Sequence, residues 1–210
     1  ENLVGLIATA RATLALTRYD AEEMLYQSRR ALAHLDADNP VSRASAKWTL
    51  GHAHLLRGER AMTRQAFADA IVISRDVGDT FTTILATIGL GNLWEAENAL
   101  PRAAETYRKV LDLAGDQPLQ IVGEAHLGLA QVLYEWNQLE AAEEHGLEAL
   151  ELARQYDSVI DRYVSCEAFL ARLKLARGDA VGAAKLAAEA ARAVRREGFV
   201  HRMGEVAEVQ

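Results

Sequence analysis

The sequence predicts an all-α solenoid of about five helix-turn-helix repeats, each about 40 residues long. The first observation is a recurrence. Leu50, Leu90, Leu129 and Leu170 are each followed at once by a small residue, Gly51, Gly91, Ala130 or Ala171. Seven residues later stand Gly58, Asn98, Asn137 and Gly178, and twelve beyond those stand Ala70, Val110, Ala149 and Ala190, so successive copies lie 40, 39 and 41 residues apart. The second observation is that apolar residues within a copy fall three and four apart, the spacing of one helix face. The third is that alternation at period two is not sustained anywhere, which argues against strands.

The first repeat, about 1–40, places Arg11, Ala12, Tyr19 and Ala31 at these positions, keeping the small residues but losing the leucine and the turn residue. It closes on Asp36-Ala37-Asp38-Asn39-Pro40, a run of caps and breakers. The second, about 41–79, carries Trp48, Leu50-Gly51, His54, Gly58, Phe67 and Ala70 and ends at Val77-Gly78-Asp79-Thr80. The third, about 80–119, carries Leu90-Gly91, Asn98 and Val110 and ends at Gly115-Asp116-Gln117-Pro118. The fourth, about 120–158, spells two helices in Ala125, Leu129, Val132 and Leu133, then Leu139, Ala142, Gly146, Ala149 and Leu150, before Asp157-Ser158. The fifth, about 159–199, carries Leu170-Ala171, Gly178 and Ala190 and ends at Glu197-Gly198; Arg202 to Val209 reads as the start of a further helix. Gly or Asn between paired helices suits the left-handed conformation that often follows a helix end, whereas Tyr19 suits it poorly. Small residues flanking the turn, Gly51 with Ala66 and Gly91 with Ala103, allow the close approach a helical hairpin needs.

With 210 residues, half of them hydrophobic, the chain can bury a continuous core as one solenoid domain over 1–210. The first residue is Glu1 and both ends fall inside helical pattern, which suggests a segment of a larger protein carrying further repeats. A net charge of −7 argues against a nucleic-acid grip, and Arg192, Arg195 and Arg196 read as a solvated helix face. The single cysteine, Cys166, excludes an intramolecular disulfide and fits a reducing, cytoplasmic setting. No run approaches the roughly 18 apolar residues that span a bilayer, so no membrane contact is expected.

Catalytic chemistry finds little support. His52 and His54 are two residues apart, about 200° around a helix, and cannot share a metal; the other histidines lie in other units or loops. Glu22-Glu23, and Glu143-Glu144 with His145, read as solvated faces of second helices. Cys166 beside Phe169 and Leu170 reads as core. Gly89-Leu90-Gly91 lies inside a helix and lacks the Lys-Ser/Thr of a phosphate loop. Neither an enzyme nor a cofactor is expected in this segment, and no metal.

One polar row stands out. A single residue past the small position of each copy come Thr13, His52, Asn92, Gln131 and Arg172, all able to hydrogen-bond. Four residues earlier stand Thr9, Trp48, Ile88, Leu127 and Ala168, and three later Leu16, Leu55, Glu95, Tyr134 and Leu175. This mixed face suits a ligand with polar groups to orient and an apolar or sugar-like body to cover, with Trp48 and Tyr134 available to stack. The plainer reading is a solvated surface, where polar residues are expected anyway. Trp94 and Trp136 read as core.

The pattern resembles the tetratricopeptide repeat, best in residues 44 to 77, where Trp48, Leu50-Gly51, His54, Gly58, Phe67 and Ala70 stand where that family keeps Trp, Leu-Gly, Tyr, Gly, an aromatic and Ala. The resemblance implies a right-handed superhelix whose first helices face a concave groove. Thr13, Trp48, His52, Asn92, Glu95, Gln131, Tyr134 and Arg172 would then contact a small-molecule effector, a protein or a peptide. The repeat length, the Arg-x-x-Gly-Asp at Arg75 to Asp79 and the Leu-Ala-Arg-Gln-Tyr-Asp at Leu152 to Asp157 resemble the MalT-like superhelical sensor region of large ATP-dependent LuxR-family transcriptional regulators. That likeness implies a nucleotide-binding module before the repeats, a DNA-binding module after them, and effector-driven self-association, without direct nucleic-acid contact by the repeats. The alternatives are a scaffold for a partner peptide or protein unlinked to transcription, and an architectural spacer. Only Lys47 and Arg172 are obvious cations on first helices, so a clamp for acidic peptide ends is disfavoured.

Overall fold

A computed structural model of the chain describes residues 2–115, 121–156, 162–197 and 207. The described residues contain ten α-helices and no strand. They pair in chain order: α1 (Asn2–Leu16) with α2 (Ala21–His34), α3 (Pro40–Leu56) with α4 (Arg60–Asp76), α5 (Thr80–Ala96) with α6 (Leu100–Ala114), α7 (Val122–Glu135) with α8 (Leu139–Tyr156), and α9 (Arg162–Ala176) with α10 (Ala180–Glu197). Each predicted repeat therefore supplies one hairpin. The breakers at Asp116 to Pro118, Asp157-Ser158 and Gly198, and the further helix expected over 202–209, lie outside the described residues, Ala207 apart.

The five hairpin turns share one conformation. Tyr19, Gly58, Asn98, Asn137 and Gly178 all have positive φ, between 53° and 81°. In each turn this residue donates its N–H to the carbonyl three residues back, and the next residue donates to the carbonyl five back, as in Gly58 to Leu55 (3.0 Å) and Glu59 to His54 (2.9 Å). These bonds satisfy carbonyls that a helix end would leave orphaned. The first copy makes the same pair, Tyr19 to Leu16 (3.0 Å) and Asp20 to Ala15 (3.1 Å), although its turn residue is a tyrosine. Asp20 and Asp179, one step later, cap the following helices through the amides of Glu23 (3.0 Å) and Gly182 (2.8 Å).

The chain divides into two compact units, Glu1–Leu113 and Ala114–Gln210. In the first, small buried residues set the spacing between hairpins. Ala46 packs with Ala8, Ala31 and Leu35, Ala53 with Ala15, Met24 and Leu25, and Ala86 with Phe67 and Ala70. Hydroxyl pairs cross the same seams, Ser28 with Thr49 and Ser74 with Thr83, both 2.8 Å and buried. The Phe67 ring of α4 lies so close to Gly51 of α3 and Gly89 of α5 that any Cβ there would overlap it, and the Tyr107 ring of α6 does the same to Gly91.

In the second unit α9 packs on α7, α8 and α10, and Val164 joins Ala190, Ala191, Ala193 and Val194. Here the ring and the glycine have changed places. Gly146, on α8, stands at the repeat position of Phe67, and Phe169, on α9, at that of Gly89. Phe169 now supplies the ring and Gly146 the gap, the Phe169 ring standing 3.0 Å from where a Cβ of Gly146 would be.

Candidate functional site

The predicted row falls on α1, α3 and α5 in the first unit and on α7 and α9 in the second. Thr13 is exposed, and its hydroxyl donates to the Thr9 carbonyl (3.2 Å) of its own helix. Trp48 and His52 stand one turn apart on α3. The His52 ring sits edge-on between the rings of Trp48 (5.2 Å) and Phe67 (5.1 Å), and that apolar setting lowers its pKa to about 4, keeping the imidazole neutral. His54 points elsewhere and is bonded to Glu59. The Trp48 indole N–H is buried without an acceptor among the described residues.

Asn92 and Glu95 of α5 meet the hydroxyl of Tyr107, whose side chain is fully buried. The hydroxyl lies 2.8 Å from Asn92 Oδ1 and also contacts Glu95 Oε2. Burial raises the Glu95 pKa to about 7, and the Tyr107 hydrogen bond pulls it the other way. A single phenolic proton cannot serve two acceptors at full strength.

In the second unit the structure brings Tyr134 and Arg172 together across α7 and α9. The Arg172 guanidinium carbon lies 5.0 Å from the Tyr134 ring centroid and 5.7 Å from that of Phe169. Its Nε is buried without a hydrogen-bond partner among the described residues. Gln131, one turn before Tyr134 on α7, is half-buried.

Three residues depart from the sequence reading. His145 turns inward rather than joining a solvated face: its Nδ1 lies 2.9 Å from Nδ1 of His126 on α7, and both rings are half-buried. One imidazole must donate and the other accept. Burial first, and His145 second, lower the His126 pKa to about 4. The available signal was position about the turn, His126 eleven residues before Asn137 and His145 eight after. Trp94 is not core; it lies between the guanidinium groups of Arg64 (4.9 Å) and Arg102 (5.2 Å). Trp136 caps α7 and is 36% exposed, because the last residue of a first helix leaves the hairpin interface as the chain turns. Lys47 is already engaged, 2.6 Å from Asp69. A groove between α8, α9 and α10, bordered by Leu147, Lys174 and Lys185, includes no residue of the predicted row.

The family model described as the MalT-like TPR region matches residues 5–210, nearly the whole chain. The chain belongs to this family. Among its relatives, the HTH-type transcriptional regulator MalT of Yersinia enterocolitica is 28% identical over 172 residues, covering 80% of this chain and 19% of that protein. MalT of Yersinia pestis is 27% identical over 182 residues, covering 85% of this chain and 20% of that protein. The chain thus spans about a fifth of the length of these relatives. Among solved structures, apo RapI superimposes with a TM-score of 0.72 at 12% identity, covering 93% of this chain and 72% of RapI. BtubC of P. vanneervenii superimposes with a TM-score of 0.67 at 21% identity, covering 84% and 71%. These likenesses show a TPR-like repeat fold. No helix among the described residues is long and apolar enough to cross a membrane.

Proposed function

We propose that this chain is the effector-sensing region of a bacterial transcriptional regulator of the MalT type, a non-catalytic module that binds a small molecule or a partner on its first helices. The observation that carries the reading is the family match over residues 5–210, joined by relatives that are themselves HTH-type transcriptional regulators. The chemistry of the first helices supports it, since aromatic, amide and guanidinium groups stand half-buried at one repeat position. By resemblance, the full protein would be a LuxR-family regulator with nucleotide-binding and DNA-binding modules, and effector binding would promote its self-association. A ligand achieves this only by binding one conformation or oligomer more tightly than the other.

The test combines a thermal-shift screen of the 210-residue chain against a metabolite collection with a transcription reporter for the full-length protein. The expected result is a compound that raises the melting temperature and switches the reporter, with both responses lost when His52, Asn92, Gln131 and Arg172 are replaced by alanine. Activation that depends on a partner protein alone, indifferent to all compounds and to these replacements, would contradict the reading.

A further inference from the structure

Four arginines lie from α8 to the turn after α9, and they divide into two kinds. Arg154, Arg162 and Arg177 end on carboxylates: Glu167 (2.7 Å), Glu124, and the pair Glu140 (2.8 Å) and Glu143. Arg172 is half-buried, yet has no hydrogen bond and no ion pair among the described residues, and its Nε is buried. The positions three and four residues away on its own helix are Ala168, Phe169, Leu175 and Ala176, so no carboxylate of α9 reaches it by helical spacing. Around Tyr134 on α7 the same positions are Ala130, Gln131, Asn137 and Gln138, again without an acid.

What Arg172 does have is aromatic neighbours. Its guanidinium carbon lies 5.0 Å and 5.7 Å from the centroids of two rings that meet edge to face, and the planar guanidinium carries its donors in its own plane. A partly desolvated guanidinium between two rings, with no counter-charge, suits a planar anion, because its two Nη–H groups can meet the two oxygens of a carboxylate. Gln131 has no hydrogen-bond partner among the described residues and adds an amide on the same face of α7 as Tyr134. Leu175, one turn beyond Arg172, is 54% exposed and offers apolar surface beside the fork.

We propose that Arg172, with Tyr134 and Gln131, is a receptor for a carboxylate monoanion borne on a planar or apolar body. The biological use of this site rests on the effector-sensing reading; its chemistry does not. A phosphate dianion fits less well, because the other cations late in α9 and just beyond it are engaged, Lys174 with Asp179 (3.1 Å) and Arg177 with two glutamates. One guanidinium then balances only one charge.

The experiment follows the arginine Nε–H resonances of the 15N-labelled 210-residue chain during titration with benzoate, with its neutral analogue benzamide, and with inorganic phosphate. Arg172→Gln identifies the Arg172 signal by its disappearance. Benzoate is expected to move that signal saturably at millimolar concentration, with benzamide and phosphate at least about tenfold weaker. Arg172→Lys keeps the charge without the fork and should weaken benzoate about tenfold, while Arg154→Gln should leave binding unchanged. Far-ultraviolet circular dichroism verifies that each variant is folded. An unmoved Arg172 signal in about 100 mM benzoate, or equal responses to benzoate and benzamide, would overturn the proposal. The two readings separate cleanly. Benzoate binding with full-length transcription indifferent to Arg172→Gln upholds the site and removes its sensing role; an effector response without any benzoate binding does the reverse.

Discussion

Asn92 and Arg172 occupy the same position of their repeats, and the two units use it in opposite ways. In the first unit a second-helix ring reaches the row: Tyr107 bonds Asn92 and Glu95, and Phe67 lies against His52. In the second unit the equivalents of Phe67 and Tyr107 are Gly146 and Ala187, which have nothing to offer. The ring has moved to Phe169 on the first helix, where it lies 5.7 Å from the Arg172 guanidinium, which has no hydrogen-bond partner among the described residues. Repeat register therefore says where a polar residue stands, and the residue across the hairpin decides whether its hydrogen bonds are already used.

The largest way to break this comparison is at the exchanged ring. Phe67 is fully buried, and Phe67→Ala should cost about 3–5 kcal/mol in urea unfolding, with Phe169→Ala in the same range. A double exchange, Phe67→Gly with Gly89→Phe, should recover part of the loss seen in either single variant; losses that simply add would show that the two contacts are not equivalent.

Glycine substitutions read the same contrast at smaller scale. Gly91→Ala drives a Cβ into the buried Tyr107 ring and should cost about 1–3 kcal/mol. Gly123→Ala on α7 meets only ordinary contacts, the nearest at 3.4 Å, and should be neutral or stabilise by up to about 1 kcal/mol through helix propensity. Equal costs at both sites, measured by chemical denaturation, would mean that the tight seam is not particular to the ring.

The polar groups set the pH response. The Glu95 pKa is raised to about 7 in the folded chain, so between its ordinary value near 4.5 and 7 the native state holds more protons than the unfolded state. Glu95 therefore makes stability fall as pH rises through that window. The lowered values of His52 and His126, about 4, act oppositely: the unfolded chain takes up protons below about 6.5 that the folded chain refuses, so stability falls as pH drops from 6.5 towards 4. Glu95→Gln should abolish the decline above pH 6.5, and His52→Gln should shallow the acid limb, both visible in melting temperature against pH. Tyr107→Phe should remove about 1 kcal/mol and push the Glu95 pKa further up, since the bond that lowers it is gone. Thr13→Ala, at an exposed residue bonded only to its own helix, should change stability by less than about 0.5 kcal/mol.

The fold was legible because repeats multiply a weak signal. The turn at Tyr19 shows how strongly: its side chain argues against the left-handed conformation, yet its φ is 53°, since the two backbone bonds that close the turn are the same in all five hairpins. The candidate row was legible as a set of positions but not as a set of partners. Tyr107 beneath Asn92, and His126 against His145, depend on which residues face each other across a hairpin, and helical spacing within one segment does not encode that. Trp94 and Trp136 misled for a related reason. Large aromatics favour the core in general, but these two stand at the ends of first helices, where one is flanked by arginines and the other opens to solvent.

The most direct test compares urea unfolding of Asn92→Ala with that of Arg172→Met. If the polar groups of the row are already bonded in the first unit and unpartnered in the second, Asn92→Ala loses about 1 kcal/mol by removing one of the two acceptors of the Tyr107 hydroxyl, while Arg172→Met, which keeps an unbranched aliphatic stem, stays within about 0.5 kcal/mol of the parent. An Arg172→Met loss equal to or greater than that of Asn92→Ala would show that Arg172 is a structural contact and would contradict the account.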